Sequence, residues 1–132
     1  MFIRTVERIK DIFREIRWAH QRVTRGWDDR AVWSIDYHLA KLIGQLVREL
    51  IKDNTGVPMA MYTQEEIGQD RNGTSSEMDK EKEKQWKGIL LEIAEGFEAY
   101  AENGDCMLMN GNPENFDKAF DLFRTHFSSL WD

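Results

Sequence analysis

The chain has 132 residues, 41% hydrophobic and 32% charged, with a formal net charge of −6; this is the composition of one globular domain, 1–132, and not of a disordered chain. The negative balance sets the molecule as a whole against duplex nucleic acid, and no stretch approaches the ~18 apolar residues that a membrane span requires. Cys106 is the single cysteine, which excludes an intramolecular disulfide and a cysteine-based zinc site and points to a reducing compartment, the cytoplasm.

The opening residues, Met1-Phe2-Ile3-Arg4-Thr5-Val6, interleave charge with apolar residues and lack the apolar run of a secretory signal. Thr5 caps a first predicted helix over 5–25, which Gly26 ends by offering a left-handed position. Phe2, Val6, Ile9, Phe13, Ile16 and Val23 share one stripe at helical spacing, and this face seeks a core. Trp18 projects to the other side among Arg8, Arg14, Arg22 and Arg25, where it either meets a partner or lies flat under arginine stems. Residues 1–30 hold eight Lys or Arg against five Asp or Glu, whereas 31–132 hold ten against nineteen. The positive segment is therefore the place for an anion site.

Asp28 caps a second predicted helix over 29–53, stopped by Asn54-Thr55-Gly56-Val57-Pro58. Val32, Trp33, Leu39, Ala40, Ile43, Leu46, Val47 and Leu50 form its apolar face, and Asp36 falls near the middle of that group. Thr63-Gln64-Glu65-Glu66 reads as a capping box opening about one turn of helix. The polar stretch near 68–79 is expected to be a mobile loop. Ser76 with Asp79 opens a third long helix, 77–103, whose inner face is Trp86, Ile89, Leu90, Ile93, Ala94, Phe97 and Tyr100. Glu92, Glu95, Glu98 and Glu102 occupy its outer face. The loop 105–111 is apolar enough to fold back onto the body. Asn112 and Pro113 then start a last helix, 113–131, with the face Phe116, Ala119, Phe120, Phe123, Phe127, Leu130 and Trp131. Four amphipathic helices without strand alternation predict an all-α antiparallel bundle.

Asp36 is the residue that asks for an explanation. A carboxylate in an apolar layer must be paired, or its pKa rises. His20, on the stripe of the first helix, lies at a matching height across a hairpin turning at Gly26 and Trp27, so a buried His20–Asp36 pair is expected, or failing that Asp36 bound by an Arg or a Trp ring N–H. The pair is read first as structural. As a base and its orienter it is also the one candidate for catalysis. His38 falls on a polar face and His126 beside the aromatic face, neither at metal-ligand spacing, and the Glu-x-x-His pairs of a di-metal bundle are missing from the sequence, so no metal or cofactor is expected. The sequence also lacks a Gly-x-Ser-x-Gly elbow and a phosphate-binding glycine motif. Gly44, Gly88 and Gly96 cost helix stability, so at least one is expected to allow close packing or ligand approach.

Arg25-Gly26-Trp27-Asp28-Asp29-Arg30, Trp33-Ser34-Ile35-Asp36-Tyr37-His38-Leu39-Ala40 and Gly56-Val57-Pro58 together resemble a family of small uncharacterised bacteriophage proteins. Trp86 with Ile89, Leu90, Ile93, Gly96 and Phe97 is similar to its middle block, and Leu122-Phe123 with Phe127, Ser129, Leu130, Trp131 and Asp132 to its ending. The resemblance leaves out 62–80, and the Gly-rich insert around Gly73 departs from it. It implies a phage origin and action in the cytoplasm of an infected bacterium, and it carries no catalytic residue across.

The leading expectation is a non-enzymatic accessory protein that forms a homo-oligomer through spare aromatic surface and binds a host protein or a small anionic ligand. Its most concrete form counters a host defence by trapping a nucleotide signal at Trp18, Arg14, Arg22, Arg25 and Asp36. One alternative is a small hydrolase using Asp36 and His20. Another is an acidic inhibitor whose glutamate row imitates DNA.

Overall fold

A computed structural model describes residues 2–53, 56–69, 75–103 and 114–131. Among these residues every regular element is helical: α1 (Phe2–Arg25), α2 (Arg30–Trp33), α3 (Ile35–Asp53), a 3₁₀ turn (Met59–Met61), α4 (Gln64–Gln69), α5 (Ser75–Glu102), α6 (Glu114–His126) and a closing 3₁₀ turn (Phe127–Ser129). No described helix is long and apolar enough to cross a membrane. The chain divides into two compact units, 1–38 and 39–132.

In the first unit, α1 starts at Phe2, ahead of the cap expected at Thr5, because Ile3 and Arg4 tolerate helical backbone and nothing interrupts it there. Gly26 ends the helix as its sequence implies, at φ 83°, with its N–H donating to the carbonyl of Arg22 at 3.0 Å. The expected helix over 29–53 is broken. Ser34 sits at φ −146°, ψ 74°, which closes α2 after four residues and lets α3 restart at Ile35. The break takes Val32 and Trp33 out of phase with the apolar residues of α3. Asp36 keeps its phase with Leu39 and Ala40 inside α3, but the buried part of this helix begins only at Ala40 and Leu39 is 46% exposed as well; Asp36 is exposed in the first turn, where the helix dipole favours an anion. His20 is exposed as well. The expectation of a carboxylate buried in a core is thus corrected.

The second unit is built on α5. Trp86, Leu90, Ile93, Ala94, Phe97 and Tyr100 are buried along one face of it, joined by Ala40 and Val47 of α3 and Ala119 of α6, and Trp86, Leu90 and Ile93 are the largest side chains shut fully away. This is the inner face read from the sequence, with Ile89 only half-buried at its edge. Aromatic rings tie α5 to α6: Phe97 meets Phe116 and Phe123 edge-on at ring-centroid distances of 5.4 Å each, Trp86 meets His126 edge-on at 5.5 Å, and Tyr100 lies tilted against Phe116 at 4.4 Å. Such pairs add about 0.5–1.5 kcal/mol each beyond the area they bury.

Two glycines let α5 approach its neighbours. A Cβ on Gly96 would stand 2.2 Å from the Cβ of Ala119 and 2.7 Å from the carbonyl oxygen of Asn115, and one on Gly44 of α3 would meet Glu98 Cγ at 3.0 Å. At Gly88 a Cβ would meet nothing within 4 Å among the described residues. The Thr63 capping box is present, with the Thr63 N–H donating to Glu66 Oε2 at 2.9 Å and the Glu66 N–H to Thr63 Oγ1 at 3.2 Å, and it opens six residues rather than one turn. Of the loop expected near 68–79, Gly68, Gln69 and 75–79 are helical; the rest of it, the loop 105–111 and the cap at Asn112 and Pro113 lie outside the described residues. The last helix stops at His126, five residues early, and Trp131 is 72% exposed instead of finding a core.

Candidate functional site

The residues singled out around Trp18 are brought together, but by one another. The turn at Gly26 returns the chain along the side of α1 that carries Trp18, and Trp33 meets the Trp18 ring edge-on at 5.9 Å between centroids. The guanidinium of Arg30 lies over the same ring at 4.3 Å and that of Arg14 at 5.2 Å. Trp18 is only 7% exposed as a result. Of the two fates expected for this ring, cover under arginine stems is the one observed, and no open face is left for a nucleotide base to stack on.

The arginines are equally occupied. Asp28, 6% exposed, receives Arg22 at 2.7 Å and Arg30 at 2.8 Å, and its second oxygen accepts the backbone N–H of Arg30 at 3.0 Å. It therefore holds the start of α2 from one residue outside the N-cap position, which Asp29 occupies without a side-chain capping bond of its own. Asp29 receives Arg25 at 2.8 Å and a contact from Arg17, and exchanges two hydrogen bonds with the Gln21 amide, each 3.0 Å long. Arg25 stacks on Trp27 at 3.7 Å, and Arg14 pairs with Asp11 at 2.8 Å.

These bonds stabilise the charged forms. Hydrogen bonding from Arg30, then from Arg22, outweighs partial desolvation and holds the Asp28 carboxyl far below the ordinary carboxylate range. Asp29 is lowered to about 2, by the Gln21 amide first and by Arg17 and Arg25 after it. Two carboxylates ringed by four guanidinium groups make a clasp that fixes the α1–α2 turn. That use consumes the cations proposed for an anion site.

Sequence reading named Trp18, Arg14, Arg22 and Arg25 but missed Arg17, Arg30, Trp33, Gln21 and Asp29. The repeated Asp-Asp after Gly-Trp, facing a row of arginines, was the available signal. Which arginine reaches which carboxylate depends on the path of the turn. Asp36 and His20 stand outside the clasp's described bonds, and their exposure removes the desolvation on which a catalytic reading of the pair rested.

What α1 leaves open is its apolar stripe. Phe2, Phe13 and Val23 are 83%, 68% and 87% exposed, and Val6, Ile9, Ile12 and Ile16 are exposed between them. In the second unit, an apolar groove of about 580 Å³ runs between α3 and the end of the chain, lined by Ile43, Leu46, Leu50, Phe123, Phe127 and Leu130 with Glu49 and Asp53 at its edge. A smaller hollow of about 360 Å³ is lined by Met59, Tyr62, Glu66, Met78, Asp79 and Glu83. There the Tyr62 hydroxyl donates to Asp79 at 2.8 Å and Lys82 pairs with Glu66 at 3.1 Å. The glutamate row of α5 is partly neutralised, Glu98 by two bonds from Arg48 at 2.7 and 2.9 Å and Glu92 by Lys118 at 3.2 Å. Among the described residues no group of three or more His, Cys, Asp or Glu is placed to hold a metal ion.

The chain matches no family model, and comparison with curated proteins and with solved structures returns no match.

Proposed function

We propose that this is a non-enzymatic accessory protein that acts by contact with other proteins, assembling with copies of itself and engaging a protein of its host. The observation that carries the reading is the stripe of exposed Phe, Ile and Val along α1, set opposite a clasp that satisfies the neighbouring arginines internally. Surface of this kind is costly in water and is ordinarily covered by a partner. Of the two ligand classes expected from the sequence, a host protein is favoured over a small anionic nucleotide, because the aromatic ring and the guanidinium groups that would hold the nucleotide already hold each other.

A phage origin and action in the cytoplasm of an infected bacterium belong to the same proposal and rest on the resemblance of the Gly-Trp-Asp-Asp and Trp-Ser-Ile-Asp-Tyr-His segments. Of the four-helix antiparallel bundle expected from the sequence, the proposal keeps an antiparallel arrangement of α3, α5 and α6, which share one core, and assigns the stripe of α1 to partners instead. The hydrolase reading keeps no support from Asp36, and a DNA-imitating surface is weakened by the cations on Glu92 and Glu98.

The test is paired. Light scattering of the purified chain across concentration is expected to report a mass above 15.6 kDa, and affinity capture from infected cells is expected to return one host protein in stoichiometric amount, lost when Ile9 and Ile16 are both changed to Asp. A monomer at every concentration, together with no captured protein that depends on those residues, refutes the proposal.

A further inference from the structure

The apolar stripe of α1 has a finer order than amphipathicity requires. Phe2, Val6, Ile9, Phe13, Ile16, His20 and Val23 follow one another at alternating steps of four and three, the spacing of a coiled-coil seam. Val6, Phe13 and His20 take the a positions and Phe2, Ile9, Ile16 and Val23 the d positions. Trp18 falls at f, on the far side of the helix. The clasp and α2 therefore occupy the back of the seam and leave its front open: every seam residue is exposed. Including the flanking Ile3 and Ile12, eight large apolar side chains are on average roughly 65% exposed, which at ~150–200 Å² apiece, the lower part of the aromatic range, leaves roughly 800–1,000 Å² of apolar surface. A stable interface needs about 800 Å² from each partner, and the largest patch on an ordinary monomer is about 300–600 Å².

We propose that α1 is an assembly helix whose partner is α1 of further copies of this chain, packed in a parallel coiled coil of more than two strands. This names the partner of the self-association put forward above and rests on that reading. A heptad seam is self-complementary, because the knobs and holes that one copy offers are those another copy needs. The flanking charges choose the direction. In a parallel coil the e positions Ile3, Lys10, Arg17 and Thr24 face the g positions Thr5, Ile12 and Ala19 of a neighbour, and no like charges meet. An antiparallel coil brings e against e and sets Lys10 and Arg17 against cations of the other copy. The strand number follows from side-chain shape: Ile9, Ile16 and Val23 are β-branched at d, which packs poorly in two strands and well in three or four, and Ile3 and Ile12 widen the seam beyond the a and d rows. His20, the one polar seam residue, fixes the register of the layers.

The full-length protein tests this directly. Light scattering is expected to give three or more times 15.6 kDa, and Ile16→Asp is expected to reduce it to one chain while the far-ultraviolet circular dichroism stays helical. His20→Leu removes the single polar layer and lowers the concentration at which the assembly dissociates by about tenfold. In a Cys106→Ser background, Val23→Cys is expected to form an interchain disulfide on mild oxidation, since a parallel coil juxtaposes residue 23 with itself. An antiparallel coil in the register that sets Lys10 against Arg17 puts it beside residue 6, and failure of that disulfide in an assembled protein overturns the direction. A mass of two chains overturns the strand number. An assembly indifferent to Ile16→Asp overturns the role of α1 but leaves self-association standing, and a monomer at ~100 μM, well above the working range of a specific assembly, overturns both.

Discussion

Replacing Gly96 by Ala separates two effects that ordinarily act together. In an exposed helix interior the exchange gains about 1 kcal/mol of helical propensity, and Gly88 of the same helix, where a new Cβ meets nothing within 4 Å among the described residues, is the reference for that gain. At Gly96 the Cβ would lie 2.2 Å from Ala119 Cβ and 2.7 Å from the Asn115 carbonyl oxygen. Carbon atoms pack at about 3.5–4.0 Å, so α5 and α6 must separate by more than 1 Å, roughly. The obstacle is partly backbone, which no rotamer change relieves. Separation also loosens the Phe97–Phe116 and Tyr100–Phe116 contacts beside it. Overpacking of this kind costs about 3 kcal/mol at the upper end of its usual range, and subtracting the propensity gain leaves Gly96→Ala destabilising by about 2 kcal/mol. Urea denaturation followed at 222 nm should show Gly88→Ala moving the midpoint up and Gly96→Ala moving it down, with unchanged slopes. Adding Ala119→Gly to Gly96→Ala removes the shorter clash and should recover part, but not all, of the loss. If both alanines stabilise the protein alike, the close approach of α5 to α6 at Gly96 is not as described.

Among the described residues the indole N–H of Trp86 has no hydrogen-bond partner, so Trp86→Phe removes an unsatisfied donor along with some ring volume and is expected to cost less than about 1.5 kcal/mol, against about 3–5 kcal/mol for Trp86→Ala; equal losses in a denaturation series would show that the N–H is bonded. Asp28 and Asp29 both have lowered folded-state pKa values, so their contribution is complete above about pH 4, the ordinary range of the unfolded chain, and falls away as pH drops through the folded values, about 2 for Asp29. Titration of thermal stability between pH 5 and 2 should therefore show a steeper acid limb in the natural protein than in Asp29→Asn, and parallel curves would mean that the clasp is not formed. Asp36→Asn alters an exposed carboxylate in the first turn of α3 and is expected to change stability by less than about 1 kcal/mol; a loss of about 3 kcal/mol or more, the sign of a broken buried pair, would restore the core reading.

Sequence alone determined what depends on near neighbours. Helix ends follow from residues a few positions apart, so Gly26 as a left-handed stop and the Thr63–Glu66 box were legible. The inner face of α5 was legible too, because a run of buried side chains at helical spacing keeps its phase as long as no residue interrupts it. Gly96 could be marked as costly, though not as the point where Ala119 comes near. Only the tertiary structure decided the fate of Asp36 and Trp18. Ser34 leaves helical backbone and takes Val32 and Trp33 out of phase with α3, whereas Asp36 stays in phase with Leu39, Ala40 and Ile43. Asp36 is exposed because the first turn of α3, Leu39 included, lies beyond the core, and periodicity does not say where along a helix its cover begins. Trp18 is covered because the turn from Gly26 to Asp29 returns Arg30 and Trp33 to it, and a turn's path is set by a few dihedral angles that side-chain identities restrict without specifying. Charge pattern announced that the arginines of α1 would find anions; geometry decided that Asp28 and Asp29 of the same chain supply them.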